Sequence, residues 1–581
     1  MDINIYNYIR TQEAKYQKPI DLEDGWSWSM KEHLRLSFLQ LNSQFSEDND
    51  DRTLRPNKNI VLGIMNVAFR TLDFDVKDIE LFVDGADGYY KSFLSKKYHE
   101  KWALDNEMDT FIDDTIYSYQ TYGGVMTKNI GKKRPIVVNL RNLAFCSQRD
   151  ILSYPFGIKH TLSIKEIRDM EQWGTDANGA DIDKETFISM ILKEDKDEAE
   201  LYEVVGNPQY WGQEDGELEV NIVSYYKNQE NQEIGVTLYK KRLPKLNYKF
   251  LKRDKVENRA LGRGGVEELF QSQIWTNWNE IKLAEMMESA SKTIMLTDDK
   301  QLSAKHPTGL KGLDNLSIVE TTSEGKGLWQ ADTFPRNLEK FNNDVDRWLS
   351  HAQTLGSAAD SLLGEEPNSG TPFALFQAQQ IEGKSMHKYR QGQLAVFFDE
   401  MYRDWILPHI RTEIVNDISF LSELSADEMM EIAESISENV SNRERNERVL
   451  KGEVLLPGEN EQRKADILEG VLKGGSNKFI NILKKDFSSE KLSVRTNIVG
   501  KQKKLALLTD KMVSFVRQIL ATPQIRQDPE MIKWTNTILE SSGISPMMFS
   551  ATPMLQEAQG GSTEALKGVS EQNAGNLPGQ A

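Results

Sequence analysis

The segment that decides the fold is LGRGGVEELFQSQIWTNWNEIKLAEMMESASK, residues 261–292. Its glycine-rich start is followed by apolar residues that recur every three or four positions. These residues are Val266, Phe270, Ile274, Trp278 and Ile281. The spacing predicts an α-helix over 264–292 with one apolar stripe. At about 1.5 Å per residue, this helix would be about 40 Å long.

A second segment, LEKFNNDVDRWLSHAQTLG at 338–356, repeats the helical pattern. Its apolar positions are Leu338, Phe341, Val345, Trp348, Leu349 and Ala352. We predict a helix over 337–355 that ends at Gly356. The residues that follow, 356–371, are small, acidic and rich in glycine. A compact domain rarely leaves a loop of this length without a role.

Thr371 and Pro372 open a third predicted helix. Threonine is favoured as an N-cap, and proline is favoured at the first helical position. No other proline follows until Pro408. The pattern therefore predicts a helix of about 36 residues that ends at Pro408, with a length of about 54 Å.

The composition indicates a large globular chain with an acidic surface. Its 581 residues are 39% hydrophobic and 28% charged, and a prior of about 150 residues per domain suggests about three or four units. Lysine and arginine number 71 against 89 aspartate and glutamate residues, which gives a formal charge of −18. This balance argues against tight or sequence-specific DNA binding, which depends on neutralising phosphates. It does not argue against a surface that DNA slides past.

The sequence also constrains the compartment. No run approaches the ~18 apolar residues of a membrane span, and the N-terminus lacks a basic segment followed by an apolar one. We therefore expect no membrane partner and a protein that stays where it is made. The single cysteine, Cys146, excludes an intrachain disulfide. Its apolar neighbours and the lack of a nearby histidine in sequence favour a packed residue over a reactive thiol.

The common motifs of catalysis and cofactor binding are not matched. The run GKS at 383–385 is similar to the end of a phosphate-binding loop, but Ala378 stands where that loop requires glycine. Asp73, Asp75 and Asp78 follow part of a calcium loop, yet Asp78 occupies its glycine position, so a solvated turn is favoured. The seven histidines are scattered without zinc-binding spacing. We predict no catalytic residue, no cofactor and no metal.

The tryptophans leave two interpretations open. Trp275, Trp278, Trp348 and Trp405 could stack on nucleic-acid bases, as in proteins that bind single strands. Packing in a core or between subunits is favoured, because three of them lie on helical stripes with apolar neighbours.

The rest of the pattern predicts an α+β fold that is predominantly helical. Helices are expected at 31–41, 55–72, 88–103 and 108–122, a helical pair within 163–196, short helices from Pro408 to about 487, and further helices from Leu505. The pair Gly123-Gly124 should end the helix at 108–122. Strands are expected at 125–129, 135–140, 218–228, 234–241, 246–251 and 492–498. The polar stretch 556–581 is expected to be a flexible tail.

The order of these elements resembles the portal, or head-to-tail connector, proteins of tailed bacteriophages. The resemblance covers about residues 85–545 and rests on local patterns in the order of the portal family. They are Gly262-Arg263-Gly264 before a long helix, SKTIML at 291–296 after it, YGGVMTK at 122–128 with RNLAF at 141–145, and YRDWILP at 402–408. The run VRTNI at 494–498 is similar to the entry to the portal crown.

The resemblance implies a wing, a stem, a clip and a crown that assemble as a ring. It assigns 1–263 to the N-terminal part of the wing, 264–292 to the first stem helix, 293–336 to the clip and 337–355 to the second stem helix. It assigns 356–371 to the tunnel loop, 372–500 to the long helix and the C-terminal part of the wing, 501–555 to the crown and 556–581 to the tail.

Three sets of functional residues follow from this assignment. The channel loop would present Gly356, Asp360, Glu365, Glu366, Asn368 and Gly370. Contacts in the clip with DNA or an adaptor would come from Lys300, Lys305, Lys311 and Lys326. Neighbouring subunits would pack through Trp278, Ile281, Trp348 and Leu349.

The implied function is that of a structural protein of the virion that is present in the host cytoplasm during assembly. It would form a ring, in this family usually of twelve subunits, that conducts double-stranded DNA at one capsid vertex during packaging, retention and ejection. The implied partners are the large terminase, the major capsid protein, the scaffold and a tail adaptor protein. The alternatives are another structural ring or capsid component, a helical scaffold without DNA contact, and a nucleic-acid-processing enzyme.

Overall fold

The computed structural model describes the chain in a series of stretches. They are 5–43, 57–83, 88–153, 155–169, 184–193, 196–211, 217–228, 230–291, 294–298, 300, 318–320, 328–330, 338–358, 385–416, 426–452, 458–473 and 492–496. All of them belong to one compact unit, Met1–Lys501. The predicted crown at 501–555 and the predicted tail at 556–581 lie outside the described residues.

Helices and strands form a mixed α+β fold, as the sequence predicts. The helices are α1 (Ile5–Tyr16), α2 (Met30–Leu41), α3 (Ile60–Leu72), α4 (Gly88–Asp105), α5 (Met108–Tyr122), α6 (Ile164–Asp169), α7 (Lys184–Lys193), α8 (Gly265–Ser291), α9 (Leu338–Leu355), α10 (Ser385–Met401), α11 (Leu407–Asn416), α12 (Ala426–Leu450) and α13 (Glu459–Lys473). No helix in the described stretches is long and apolar enough to cross a membrane.

The strands belong to several small sheets. They are β1 (Ile20–Asp21), β2 (Ser27–Trp28), β3 (Ile79–Val83), β4 (Gly124–Lys128), β5 (Ile136–Val138), β6 (Leu143–Phe145), β7 (Phe156–Ser163), β8 (Glu198–Gly206), β9 (Glu219–Lys227), β10 (Glu233–Arg242), β11 (Tyr248–Lys252), β12 (Met295–Thr297), β13 (Ile318–Glu320), β14 (Leu328–Gln330) and β15 (Leu492–Thr496).

An antiparallel five-stranded sheet has the strand order β10-β9-β8-β7-β6. Alternation in the sequence predicts β9 and β10. It does not predict β7 and β8, because charged residues such as Glu200 and Glu203 interrupt the apolar run of β8. The apolar side chains of these strands form one core with those of α1, α2 and α7. A second core joins α4, α5, α10, α11 and α12.

The glycine-rich segment before α8 lies against the end of α5. Gly123 ends α5 with a φ of 82°, and its carbonyl accepts the N–H groups of Arg253 and Gly262, both at 3.0 Å. A Cβ atom on Gly264 would stand 2.5 Å from the carbonyl oxygen of Thr121. Only glycine permits this approach, so the glycine pattern in the sequence reflects a close crossing of two backbones.

The start of α3 differs from the prediction. The sequence predicts a helix from Arg55, but the described helix begins at Ile60. The side chain of Asn59 accepts the N–H of Leu62 at 3.0 Å and caps the helix there. The cap, rather than the apolar period, therefore sets this boundary.

The predicted helix end at Pro408 is wrong. The π-helical turn Tyr402–Ile406 follows α10, and α11 continues beyond it, so the described helical run covers 385–416. Proline disrupts an α-helix because it lacks an N–H and because its ring meets the carbonyl four residues earlier. The wider π-helical turn accommodates both the missing N–H and the proline ring, so the helix continues past Pro408. The predicted start at Thr371 lies outside the described residues.

The strand predicted at 492–498 is present as β15, and its partner is β3. The two strands pair antiparallel, with Val494 opposite Leu81. This pairing returns the end of the described chain to a strand near its beginning.

Glu203 links the five-stranded sheet to the three-stranded sheet β11-β4-β5. Its carboxylate accepts hydrogen bonds from Lys128 Nζ at 2.5 Å and from Tyr248 Oη at 2.6 Å. His160 Nε2 lies 3.3 Å away. Burial alone would raise the pKa of Glu203, but His160, Lys128 and Tyr248 together lower it to about 2. The ionised carboxylate therefore contributes to the stability of the contact between the sheets.

We expect the fold to lose stability as the pH falls from about 4.5 toward about 2. The folded pKa of Glu203 lies below the ordinary value of 4.5, so its contribution is complete above that value and is lost as the carboxylate is protonated. The shift corresponds to about 3 kcal/mol. Urea unfolding across this pH range should show a Glu203→Gln variant that is less stable than the wild type at neutral pH. The variant should also lose less stability on acidification, and equal pH slopes would contradict the assignment.

Candidate functional site

Helices α8 and α9 form an antiparallel pair. Asn279 Nδ2 donates to Asp344 Oδ2 at 2.7 Å. Four residues earlier on α8, the ring of Trp275 stacks on that of Trp348, with centroids 6.1 Å apart and planes at 8°. From the first contact to the second, the residue number falls on α8 (279 to 275) and rises on α9 (344 to 348). The two helices therefore run in opposite directions. The helices predicted over 264–292 and 337–355 are thus two neighbouring rods.

The middle of α8 turns a polar face toward the inside of the chain, after the buried apolar residues Val266 and Leu269. Its buried side chains include Ser272, Gln273, Thr276 and Asn279. Gln273 Oε1 accepts the N–H of Ile60 at 2.9 Å, and Gln273 Nε2 donates to the carbonyl of Lys58 at 2.8 Å. This side chain therefore satisfies backbone groups at the start of α3 that would otherwise lack a partner.

The outward face of the pair carries large apolar side chains. Ile274, Trp275 and Trp278 are 44%, 44% and 45% exposed. The ring of Trp275 meets that of Trp278 edge-on at 5.7 Å, and Lys282 Nζ lies 6.0 Å from the Trp278 ring. We refer to Ile274, Trp275, Trp278 and Trp348 as the tryptophan surface.

From Ser272 to Asn279 this distribution is the reverse of the one that a solvated surface helix has, in which polar residues face outward. A single exposed apolar residue is ordinary, whereas a contiguous aromatic patch marks a surface that binds something. Trp275 stacks on Trp348, but nearly half of the surface of Trp275 and of Trp278 stays uncovered by the chain itself. The tryptophan surface is therefore the candidate functional site.

The predicted packing residues fall at different depths. Trp278 is exposed, while Ile281, Trp348 and Leu349 are half-buried. Leu349 packs within the chain, on the cluster that contains Val61 and Ala352. The apolar stripe read from the sequence omits Trp275, although this residue stacks on Trp348. It also overlooks the inner polar face, which a period of three to four among Ser272, Gln273, Thr276 and Asn279 would have indicated.

Two buried arginines lie at the base of the helix pair. Arg253 donates to Glu268 Oε2 at 3.0 Å and to Gln120 Oε1 at 3.1 Å. Arg390 Nη2, on α10, donates to Asp254 Oδ2 at 2.9 Å. Buried charges persist only where they are paired and hydrogen-bonded. These five residues, which we call the arginine junction, therefore fix α8 relative to α5 and α10.

The other predicted site residues are described only in part. Gly356 follows α9, and its N–H donates to the carbonyl of Ala352 at 2.8 Å. The remaining channel-loop residues, Asp360, Glu365, Glu366, Asn368 and Gly370, lie outside the described residues. In the predicted clip, β12 lies between β13 and β14, and Lys300 is exposed. Lys305, Lys311 and Lys326 also lie outside the described residues.

Several titratable groups belong to the packed interior. Burial lowers the pKa of His99 to about 4 and raises that of Cys146 to about 12, so both are neutral at physiological pH. Cys146 Sγ lies 3.8 Å from Met30 Sδ, as expected of a packed residue. Within the described stretches, no group of three histidine, cysteine, aspartate or glutamate side chains is placed to hold a metal ion.

Comparisons with known proteins give a weak similarity among solved structures. No family model matches this chain, and no curated protein matches it. Among solved structures, it is similar to a chain from the neck of an empty GTA particle computed with C6 symmetry. The TM-score is 0.33 at 8% identity, and the match covers 77% of this chain and 98% of that chain. At this level, the similarity fixes neither the fold nor the role of the protein.

Proposed function

We propose that this protein is a portal protein, a structural subunit whose copies form a ring around double-stranded DNA at one capsid vertex. The observation that carries the proposal is the tryptophan surface, an exposed aromatic patch on an antiparallel helix pair. The exposed parts of these rings are removed from water only when another molecule covers them. The resemblance in element order to the portal family supplies the rest of the proposal.

A second copy of the chain is the occupant that suits this surface. A patch on one side of a helix pair is covered when a neighbouring pair stands beside it. If the patch meets a different surface of the neighbour, the contact is head-to-tail, and its repetition closes a ring when the rotation permits. The stem assignment of 264–292 and 337–355, and a count of twelve subunits, follow from the resemblance.

The charge of the chain suits a passive conduit. Each subunit carries a formal charge of −18, and at physiological salt a charge acts over only about 8 Å. Residues that line the channel, such as those proposed at 356–371, would therefore determine how DNA is held. We expect weak, sequence-independent binding that salt abolishes.

The proposed partners follow from the same role. The large terminase would supply the packaging motor, and the major capsid protein, the scaffold and a tail adaptor protein would surround the ring in the host cytoplasm and then in the virion. Such a subunit needs no catalytic residue, cofactor or metal of its own.

Imaging of the purified protein tests the proposal. Negative-stain micrographs should show rings with a central hole, and mass photometry should give a multiple of the 66.5 kDa chain. A protein that remains monomeric at micromolar concentration, in both low and high salt, would overturn it. Rings that never join a procapsid would favour a different structural ring component.

Deletion of 361–368 should separate assembly from DNA handling. We expect rings that form and join procapsids but package or retain DNA poorly, because this segment belongs to the proposed channel loop. Protection of DNA from nuclease in purified particles is the measurement. An equal deletion in the proposed tail, at 570–577, is the control and should change neither property. Normal retention after the loop deletion, or loss of rings, would show that the loop is not part of the channel.

A further inference from the structure

The π-helical turn Tyr402–Ile406 interrupts the backbone hydrogen bonding of the long helix at one place. The N–H of Leu407 donates to the carbonyl of Tyr402, five residues back rather than four. Pro408 has no N–H, so the carbonyl of Asp404 receives no α-helical hydrogen bond. The carbonyl of Arg403 also lacks its usual α-helical donor, because the N–H of Leu407 donates to the carbonyl of Tyr402 instead. Both residues lie on the exposed side of the helix.

Lys249 of β11 bridges this turn from the outside. Its Nζ donates to the carbonyl of Glu400 at 3.0 Å and to Asp404 Oδ2 at 2.6 Å. It also lies 5.4 Å from the ring of Trp405. The two acceptors are one helical turn apart, so the lysine spans the helix where its backbone bonding is weakest. The side chain of Lys249 is 18% exposed and that of Asp404 is 35% exposed, so the contact lies at the surface of the chain.

The inner side of the same turn is held in the core. Tyr402 Oη lies 2.8 Å from His99 Nε2, and both side chains are buried. Ile406 and Leu407 belong to the core shared with α4 and α5. The inner side of the turn is therefore held by core packing, whereas Lys249 donates two hydrogen bonds to its outer side.

We infer that the π-helical turn is a hinge between α10 and α11 and that Lys249 is its latch. Helices kink where a proline or a wide turn removes backbone hydrogen bonds. With the latch closed, the two helices act as one rod. With the latch open, α10 changes its tilt against α3 and α5. In the described structure, Gln391 of α10 donates to the carbonyl of Thr71 of α3 at 2.6 Å. The inference does not depend on ring formation.

Hydrogen exchange of the backbone amides in 400–411, followed by mass spectrometry, tests the latch. Lys249→Met is expected to raise their exchange rates by about tenfold or more through local opening. The midpoint of thermal unfolding should fall by no more than about 5 °C, since the inner contacts remain. Unchanged exchange would overturn the inference.

A straightened chain provides the sharper comparison. In this variant Arg403 is deleted and Pro408 is replaced by alanine. The deletion removes the extra residue of the π-helical turn, and the substitution restores the missing N–H. In that background, Lys249→Met should change exchange at 400–411 by less than about twofold, because the backbone bonds no longer need the latch. An equal rise in both backgrounds would mean that Lys249 acts only as a general packing residue.

Lys282→Met is the matched control. Lys282 also pairs with a carboxylate, that of Glu285, at 2.6 Å, but it lies on α8. Its replacement should leave exchange at 400–411 unchanged, and a rise there would overturn the latch assignment. The comparison of wild type, Lys249→Met and Lys282→Met uses the full-length chain, so it decides the inference even if the straightened chain does not fold.

Discussion

A Trp278→Asp variant is expected to fold as the wild type does but to remain monomeric. Trp278 is 45% exposed in the single chain, so the new carboxylate meets solvent in a monomer. In an assembled ring it would be buried without a partner, at a cost of several kcal/mol for each contact. Mass photometry at micromolar concentration measures the association, and circular dichroism checks the fold. Trp348→Asp should act in the same way, because Trp348 stacks on Trp275.

Trp26→Asp is the matched control for this prediction. Trp26 lies between β1 and β2, away from the tryptophan surface, and is 74% exposed. Its replacement makes the same chemical change and should leave association intact. If Trp278→Asp still forms rings, or if both variants lose them, the tryptophan surface is not the contact between subunits.

Arg253→Met is expected to lower the free energy of unfolding by about 3–5 kcal/mol. The side chain of Arg253 is fully buried, and its removal would take one donor from Glu268 and one from Gln120. The Glu268 carboxylate, which is 14% exposed, would then depend on the longer contact with Arg390 Nη2, 3.5 Å from its Oε1. Urea unfolding followed by tryptophan fluorescence measures the loss.

Arg263→Met separates this effect from the loss of an arginine as such. The backbone carbonyl of Arg263 accepts a hydrogen bond from Arg253 Nη1, but its side chain is exposed and is not part of the arginine junction. A change within about 0.5 kcal/mol is expected. A loss of less than about 1 kcal/mol in Arg253→Met would mean that the junction does not hold α8 in place.

Local patterns in the sequence predict the helices of this chain well. The apolar period and a glycine stop fix α5, and the same period places α8 and α9 within one or two residues. These features depend on neighbours in the chain, which a sequence displays. The aromatic residues of the candidate site are visible for the same reason, since Trp278 and Trp348 lie on those helices.

Features that depend on distant partners are not predicted. Gln273 caps a helix whose first residue is Ile60, and no spacing in the sequence reveals that contact. Glu203 becomes acceptable in β8 only because Lys128 and Tyr248 reach it from another sheet. The passage of the helix through Pro408 likewise rests on a wide turn that Lys249 and His99 hold from two sides.

The pairing of β3 with β15 has a consequence for biosynthesis. Among the described residues, the strands Ile79–Val83 and Leu492–Thr496 pair with each other in a sheet of their own, and about 400 residues separate them in the chain. At a translation rate of about 5–20 residues per second, β3 leaves the ribosome roughly 20–80 s before its partner does. During that interval, the backbone of β3 is an open edge on a nascent chain. Chaperone binding near residues 79–83 should therefore be strongest before residue 492 is made and should fall once β15 emerges.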